Sequence, residues 1–282
     1  MDPLSPVLDH FSLAARVFYS GTLCQSTAFD TSEAVGYLHV LRAGSLVVRA
    51  AGKQDLRLGQ PTVLFYPRPS KHRFVVDRSR GADLVCATLN YGLDLGNPLV
   101  RGLPDVLVIP LGDRPELAPA VSLLFAEAFG HGAGRQGALD RLFEYLLLLI
   151  LRHAMDARLL DSGVLAGLAH PKLSKAIAAL HEEPRRGWTL ERLARKAGMS
   201  RSRFAFHFHR YVGMTALDYL TEWRVSLAQV LLEQGQSVKT VAPAVGYSSA
   251  AALNRVFRQR VGMPPRRWRV EREISRAHAP SS

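Results

Sequence analysis

The chain has 282 residues, 48% of them hydrophobic and 21% charged, with 36 Lys+Arg against 24 Asp+Glu and two cysteines. That length and aliphatic content suit roughly two globular domains and exclude a disordered chain. Cys24 and Cys86 have no CxxC spacing, which excludes a disulfide scaffold and a four-thiolate zinc site. The start MDPLSPVLDHF lacks a basic-then-apolar leader, and the run Tyr145 to Leu151 is far shorter than the roughly 20 residues of a membrane span. A cytoplasmic protein with no membrane partner is expected.

Residues 15 to 112 read as β. Short β-prone runs at Tyr37 to Leu41, Leu46 to Val48, Thr62 to Tyr66, Phe74 to Val76 and Leu84 to Thr88 are separated by turn signals at Gly44, Gly52, Gly59 and Gly81. Regular short strands of this kind predict a sandwich or small barrel. From Glu116 the period becomes helical: Leu117 to Phe129 forms one helix and Ala138 to Leu160 a second, with Leu142, Tyr145, Leu146, Leu149 and His153 as its apolar stripe. This second helix is apolar over more than one face, so it serves either to pair two subunits in a homodimer or to pack within one monomer. Ser162 to His170, small and Gly-rich, reads as a linker, and Pro171 opens the next helix.

Beyond the linker the charge balance changes. From His170 onward there are 20 Lys+Arg and 8 Asp+Glu, a net of +12, whereas residues 1 to 169 carry 16 of each. A polyanionic partner accounts for cations gathered on one domain, because they replace condensed counterions along phosphates. The same half contains an approximate repeat. Leu190 to Tyr219 is echoed by Val238 to Trp268, each copy running from a short helix through Gly-aromatic/Met-Ser into a second helix and then Val-Gly-Met. Each copy reads as a helix-turn-helix with Gly198 or Gly246 at the turn, Ser200 or Ser248 capping the second helix, and Phe204/Phe208 or Leu253/Phe257 facing inward. The helix from Thr215 to Gln234 joins the two units, which can enter successive major grooves only if held roughly 34 Å apart. A short terminal helix is expected from Pro265, followed by a flexible tail over residues 271–282.

HPKLSKAIAALHEEP, WTLERLARKAGMSRSRF, Tyr219 to Arg224, and VGYSS followed by RVF, Gly262, Pro264 and Trp268-Arg269 resemble the bacterial AraC/XylS family of transcriptional regulators over residues 170 to 269. The resemblance implies promoter DNA and RNA polymerase as partners. It places Arg201, Ser202, Arg203, Phe206, His207 and Arg210 of the first unit, and Ser249, Ala250, Asn254 and Arg255 of the second, at the DNA. Two features depart from the family pattern. Pro243 falls inside the short helix from Val238, where it removes a backbone donor and is expected to bend the unit, and Ala250 to Ala252 cannot make bidentate bonds to bases. Phe206 reads either as a thymine contact or as packing against a neighbouring helix.

Gly21 to Cys24, Leu38-His39-Val40 with Gly44, Gly59 to His72, Cys86, and Asn97-Pro98-Leu99 before Leu103-Pro104 are similar to the cupin sensor domain of one branch of that family, which includes reactive-chlorine-sensing regulators. The expected fold is therefore α+β in two domains: a cupin-like β-barrel with flanking helices over residues 1–161, and an all-α double helix-turn-helix over 171–270 after a linker at 162–170. The branch implies redox sensing through Cys24 and Cys86. Catalysis is not expected, because His39 is followed by Val-Leu where an HxH pair and a downstream carboxylate would be needed for an enzymatic metal site. His39, His72, Cys24 and Cys86 would suit Zn or Cu(I) if they converged. Cys86 within Leu84-Val85-Cys86-Ala87 reads equally as a small core residue. Two other readings stay open: a regulator responding to a small organic ligand, and a metal-dependent cupin enzyme fused to a DNA-binding module.

Overall fold

A computed structural model describes every residue except 1, 3, 11–12, 31–34, 92–98, 101, 113 and 279–282. The chain divides into two compact units: Ser12–Leu95 with Leu103–Leu160, and Asp161–Ser282 with Met1–Phe11 and Gly96–Gly102.

Among its described residues the first unit has nine strands: β1 (Ala14–Leu23), β2 (Thr27–Phe29), β3 (Gly36–Gly44), β4 (Leu46–Arg49), β5 (Leu56–Leu58), β6 (Thr62–Tyr66), β7 (His72–Val76), β8 (Ala82–Asn90) and β9 (Leu107–Pro110). They form two antiparallel sheets, ordered β1-β8-β3-β6-β9 and β2-β7-β4-β5. Among the described residues the ladders do not close into a ring, so the expected barrel is an open pair of sheets. Leu41, Leu64 and Leu84 of one sheet and Leu46, Phe74 and Val76 of the other share the core between them. β6 is buried at all five positions, which is why its sequence TVLFY shows no apolar–polar alternation.

Helices α2 (Ala118–Ala128) and α3 (Arg135–Asp156) complete this unit. The buried face of α3 is Leu139, Phe143, Leu146, Leu147, Ile150, Leu151, His153 and Ala154, so the stripe is rotated from the expected one: Leu142 and Leu149 are half-buried and Tyr145 is 49% exposed. The cause lies in the polar residues of α3. The Val17 and Ala15 amides donate to Asp140 Oδ1 and Glu144 Oε1 at 2.7 and 3.3 Å, and Gln136 donates to the Val17 carbonyl at 2.9 Å. These bonds engage backbone groups along the free edge of β1 and set the helix rotation.

The second unit comprises α1 (Ser5–His10), α4 (Val164–Ala169), α5 (Leu173–Glu182), α6 (Leu190–Lys196), α7 (Arg201–Val212), α8 (Ala216–Glu233), α9 (Val238–Ala244), α10 (Ala250–Val261) and α11 (Pro265–His278). Two expectations are corrected here. The supposed linker is the helix α4, buried from Gly163 to Leu168. Its small residues serve close packing: a Cβ on Gly167 would lie 2.6 Å from Ile177 Cδ1 and 2.8 Å from Val212 Cγ2. The Gly163 amide donates to the Tyr211 carbonyl at 2.9 Å, tying α4 to the end of α7. Residues 271–278 are likewise helical instead of a flexible tail. Arg267–Glu271 and Arg269–Glu273 pairs run along α11, Arg272 reaches Glu233 of α8 at 3.0 Å, and Trp268 is buried.

Candidate nucleic-acid interface and sensor core

The two helix-turn-helix units share one set of local rules. α6 and α9 are seven residues long and α7 and α10 twelve, and each begins at a Ser or Thr whose side chain accepts an amide one turn ahead: Thr189, Ser200, Ser237 and Ser249. α7 and α10 both stop at a left-handed glycine, Gly213 and Gly262. Backbone bonds match through the turns: Met199 donates to Ala194 and Tyr247 to Ala242. Only then does the second unit insert one residue. Ser249, and not Ser248, accepts the Ala252 amide at 3.1 Å, so the cap expected at Ser248 is corrected and the repeat spacing rises from 48 to 49. Pro243 does not shorten or break α9. It sits in the last turn, and Val245 still bonds to Val241 at 3.0 Å on the other side of it.

This shift decides which side chains are equivalent. With Gly213 matched to Gly262, Arg203 corresponds to Ala252, Phe206 to Arg255, and Arg210 to Gln259. Phe204, Phe208, Leu253 and Phe257 are fully buried, which turns the opposite faces outward. Ser202, Arg203 and Arg210 are exposed and Phe206 is 61% exposed; its ring meets His207 edge-on and is not packed into a helix interface. Arg201 is exposed but pairs with Glu191 at 3.1 Å. His207 departs from its expected place. It is half-buried, with its ring 5.7 Å from that of His170 and stacked with Tyr211 at 6.2 Å. In α10, Asn254 and Arg255 are exposed, Ala250 is half-buried, and the Ser249 hydroxyl oxygen is engaged in capping.

Among the described residues no carboxylate forms an ion pair with Arg203, Arg210, Arg255 or Arg258. Four guanidiniums on two parallel-built helices therefore remain available to an external anion. Arg258 and Gln259, both exposed, lie outside the positions that the family resemblance carries over to α10. Matching the repeat at Gly213 and Gly262 sets Gln259 opposite Arg210 and Arg258 opposite His209.

In the first unit, His39 and His72 meet: Nε2 to Nε2 is 3.0 Å, and His72 Nδ1 donates to the Ser70 carbonyl at 2.9 Å. A carbonyl only accepts, so His72 carries its proton on Nδ1 and its Nε2 is a bare acceptor. His39 must then donate from Nε2, which leaves its Nδ1 a buried acceptor without a partner among the described residues. Such an orphan costs about 1–3 kcal/mol. Phe29, Tyr37, Tyr66 and Phe74 surround the two rings with centroids 4.2 to 6.2 Å away. Burial, and then the neighbouring His72, hold His39 far below its ordinary pKa; burial brings His72 down to about 4 against the opposing bond to Ser70. The pair is neutral at pH 7.

These residues do not assemble the expected Zn or Cu site. The described residues hold no group of three His, Cys, Asp or Glu placed to bind a metal. Two imidazoles fall short of the three or four donors that zinc takes, and a linear two-coordinate ion would spread their nitrogens to about 4 Å. Cys86 lies across from His39 in the β3–β8 register, fully buried, and burial pushes its thiol well above the ordinary range. Cys24 is exposed, just past the end of β1. Because Leu23 pairs with Ala82, Cys86 stands four residues farther along β8, about 13 Å away. A disulfide between Cys24 and Cys86 needs Cα atoms within about 7 Å and so cannot form without strand movement.

Comparison with known proteins joins the two units. Residues 2–156 match the Cupin family and residues 193–271 the Helix-turn-helix domain family. An HTH-type transcriptional regulator of Haemophilus influenzae is 31% identical over 83% of this chain and 86% of its own length. A protein of Streptomyces antibioticus described as an AraC-like transcription regulator is 29% identical over 95% and 98%. The chain belongs to the AraC-type transcriptional regulators. The RCS-specific activator RclR of Escherichia coli is 27% identical over 82% of this regulator and 83% of its own chain. As a DNA-binding regulator, the protein carries its positive excess on the half where both recognition helices lie. No described helix of the regulator is long and apolar enough to cross a membrane.

Proposed function

We propose that this regulator binds a bipartite promoter site with α7 and α10 in successive major grooves. The observation carrying the reading is the pair of equally long, Ser-capped helices whose outward faces hold unpaired Arg203, Arg210, Arg255 and Arg258. Arg203 and Arg255 have the fork geometry that reads guanine O6 and N7, and Asn254 can bond adenine N6 and N7. Phe206 meets thymine methyls, and Ser202 with Arg210 supports it through phosphate contacts. Domain boundaries at residue 161, recruitment of RNA polymerase and pairing of two copies through the α3 face belong to the same reading.

The effector in this reading is an oxidant meeting Cys24. Support comes from the exposure of that thiol and from the name of RclR, an RCS-specific activator. Cys86 is buried and disfavours its thiolate, so it is not the nucleophile. The reaction of Cys24 with hypochlorite gives a sulfenic acid, with chloride as the reduced product. Fluorescence anisotropy on the upstream DNA at fixed salt tests both parts. A change in affinity on oxidation that disappears in Cys24→Ser supports the assignment; a change retained in Cys24→Ser removes it and favours a small organic ligand in the sensor unit.

A further inference from the structure

The two helix-turn-helix units flank α8, and the loop leading into the first meets the turn of the second at one of its side chains. Arg224, half-buried, donates from Nε to the Pro184 carbonyl at 2.7 Å and from its NH2 group to the Arg186 carbonyl at 3.1 Å. Both acceptors lie in the loop leading into α6, on the first unit. The same guanidinium faces the second unit: its carbon is 5.7 Å from the centre of the Tyr247 ring. A Cβ on Gly246 would come within 3.1 Å of Arg224 Nε and Cζ and 2.8 Å of Arg185 Cα, and Gly246 has a φ of +92°. From the loop, Arg185 donates back to the Ala244 carbonyl at the end of α9, at 2.8 Å.

Apolar packing does not close this seam. A cavity of about 840 Å³ lies beside it, lined by His181, Pro184, Arg185, Leu227, Leu231 and Val245 among others. The loop of the first unit is therefore joined to the turn of the second mainly through planar guanidinium contacts, a geometry that a lysine ammonium cannot reproduce. At the far end of α10, Arg260 pairs with Asp218 and Glu222 of α8 at 2.7 and 3.8 Å, so the second unit is held to α8 at its C-terminal end as well.

We propose that Arg224, with Arg185, is the residue pair that sets the distance and rotation between the two recognition helices, and thereby the half-site spacing the regulator accepts. Arg224 touches no base in this arrangement; it is a positioning residue. The proposal rests on the reading that both α7 and α10 enter the groove. Two added base pairs move one half-site by about 7 Å and rotate it by roughly 70°, more than a fixed pair of helices can follow. Without the clamp, the units can pivot about α8 and follow the altered site.

The test uses full-length protein and a duplex recovered by it from a random pool, with versions carrying two added base pairs between half-sites and a version keeping one half-site. Wild type should prefer the original spacing at least tenfold. Arg224→Met, which keeps the apolar stem, should narrow that preference to below threefold while leaving single-half-site affinity unchanged. Arg224→Lys should do nearly the same, and Arg185→Ala should fall between. An unchanged spacing preference in Arg224→Met overturns the proposal. Absence of a spacing preference in wild type instead overturns the two-groove reading. If Arg224→Met does not fold, Arg185→Ala, which removes one exposed bond, decides by the same criterion.

Discussion

Phe206 and Arg255 occupy the same position in the two recognition helices, yet one offers a ring and the other a charge. Phe206→Ala therefore probes readout without touching electrostatics. The ring is 61% exposed, so of the roughly 200 Å² a phenylalanine presents, about 120 Å² remains to be covered by DNA. At about 25 cal/mol per Å² the ceiling is about 3 kcal/mol; covering half of that area gives about 1.5 kcal/mol, roughly tenfold in affinity. The substitution should weaken binding to the selected duplex about tenfold, leave binding to random DNA unchanged, and leave the slope of log K against log salt unaltered. Thermal stability should fall by no more than about 2 kcal/mol, the same coefficient applied to the roughly 80 Å² of this residue that the fold covers. Arg255→Ala should instead cost about 1–3 kcal/mol on the selected duplex and relax the base preference at one position. Anisotropy titrations at three salt concentrations measure all of these. An equal loss on specific and random duplexes, or no loss with Phe206→Ala, refutes the outward placement of that ring at the bases.

Ser249→Ala should destabilise the DNA-binding unit by about 0.5–2 kcal/mol in urea unfolding, whereas Ser248→Ala should be close to neutral; the reverse would restore the unshifted repeat. In native protein a thiol reagent should label Cys24 alone and quickly, with Cys86 reacting only after unfolding, as read by intact mass. His39 and His72 have folded pKa values below the unfolded value, so the unfolded chain binds more protons between about pH 6.5 and 4. Sensor-unit stability should be full above pH 6.5 and fall with pH through that window, and a His39→Phe/His72→Phe double variant should flatten the curve. Gly167→Val should lower the melting temperature through overpacking worth about 1–3 kcal/mol, because its first side-chain atom would already meet Ile177 and Val212.

What sequence reading can reach is set by whether a pattern has one physical cause. The repeat had one: Gly198 and Gly246 both have positive φ and the inward Phe and Leu residues are all buried, so turns and core faces were legible. Its one-residue insertion was not, because Ser248 and Ser249 are chemically identical candidates for a cap and only backbone geometry separates them. Ser162 to His170 shows the opposite case. Small residues permit both a slack linker and a helix pressed against its neighbours, and composition does not distinguish the two. Similarly, His39 and His72 were legible as a pair of interest, but their shared hydrogen bond depends on sheet register, which places them on facing strands of different sheets. Whether Cys24 and Cys86 approach each other is set by the β1–β8 register, which no sequence pattern states.

The burial of α4 bears on how the protein can be dissected. A fragment begun at Pro171, where composition suggests the cut, would strip Val164, Leu165 and Leu168 from the surfaces of α5 and α7 and leave the Tyr211 carbonyl without the Gly163 amide. Such a piece would carry both recognition helices and yet expose a fresh apolar surface at Ile177 and Val212. A fragment meant to report on DNA recognition alone should begin upstream of Gly163, and the solubility of the two truncations, side by side, would show how much of that helix the DNA-binding half owns.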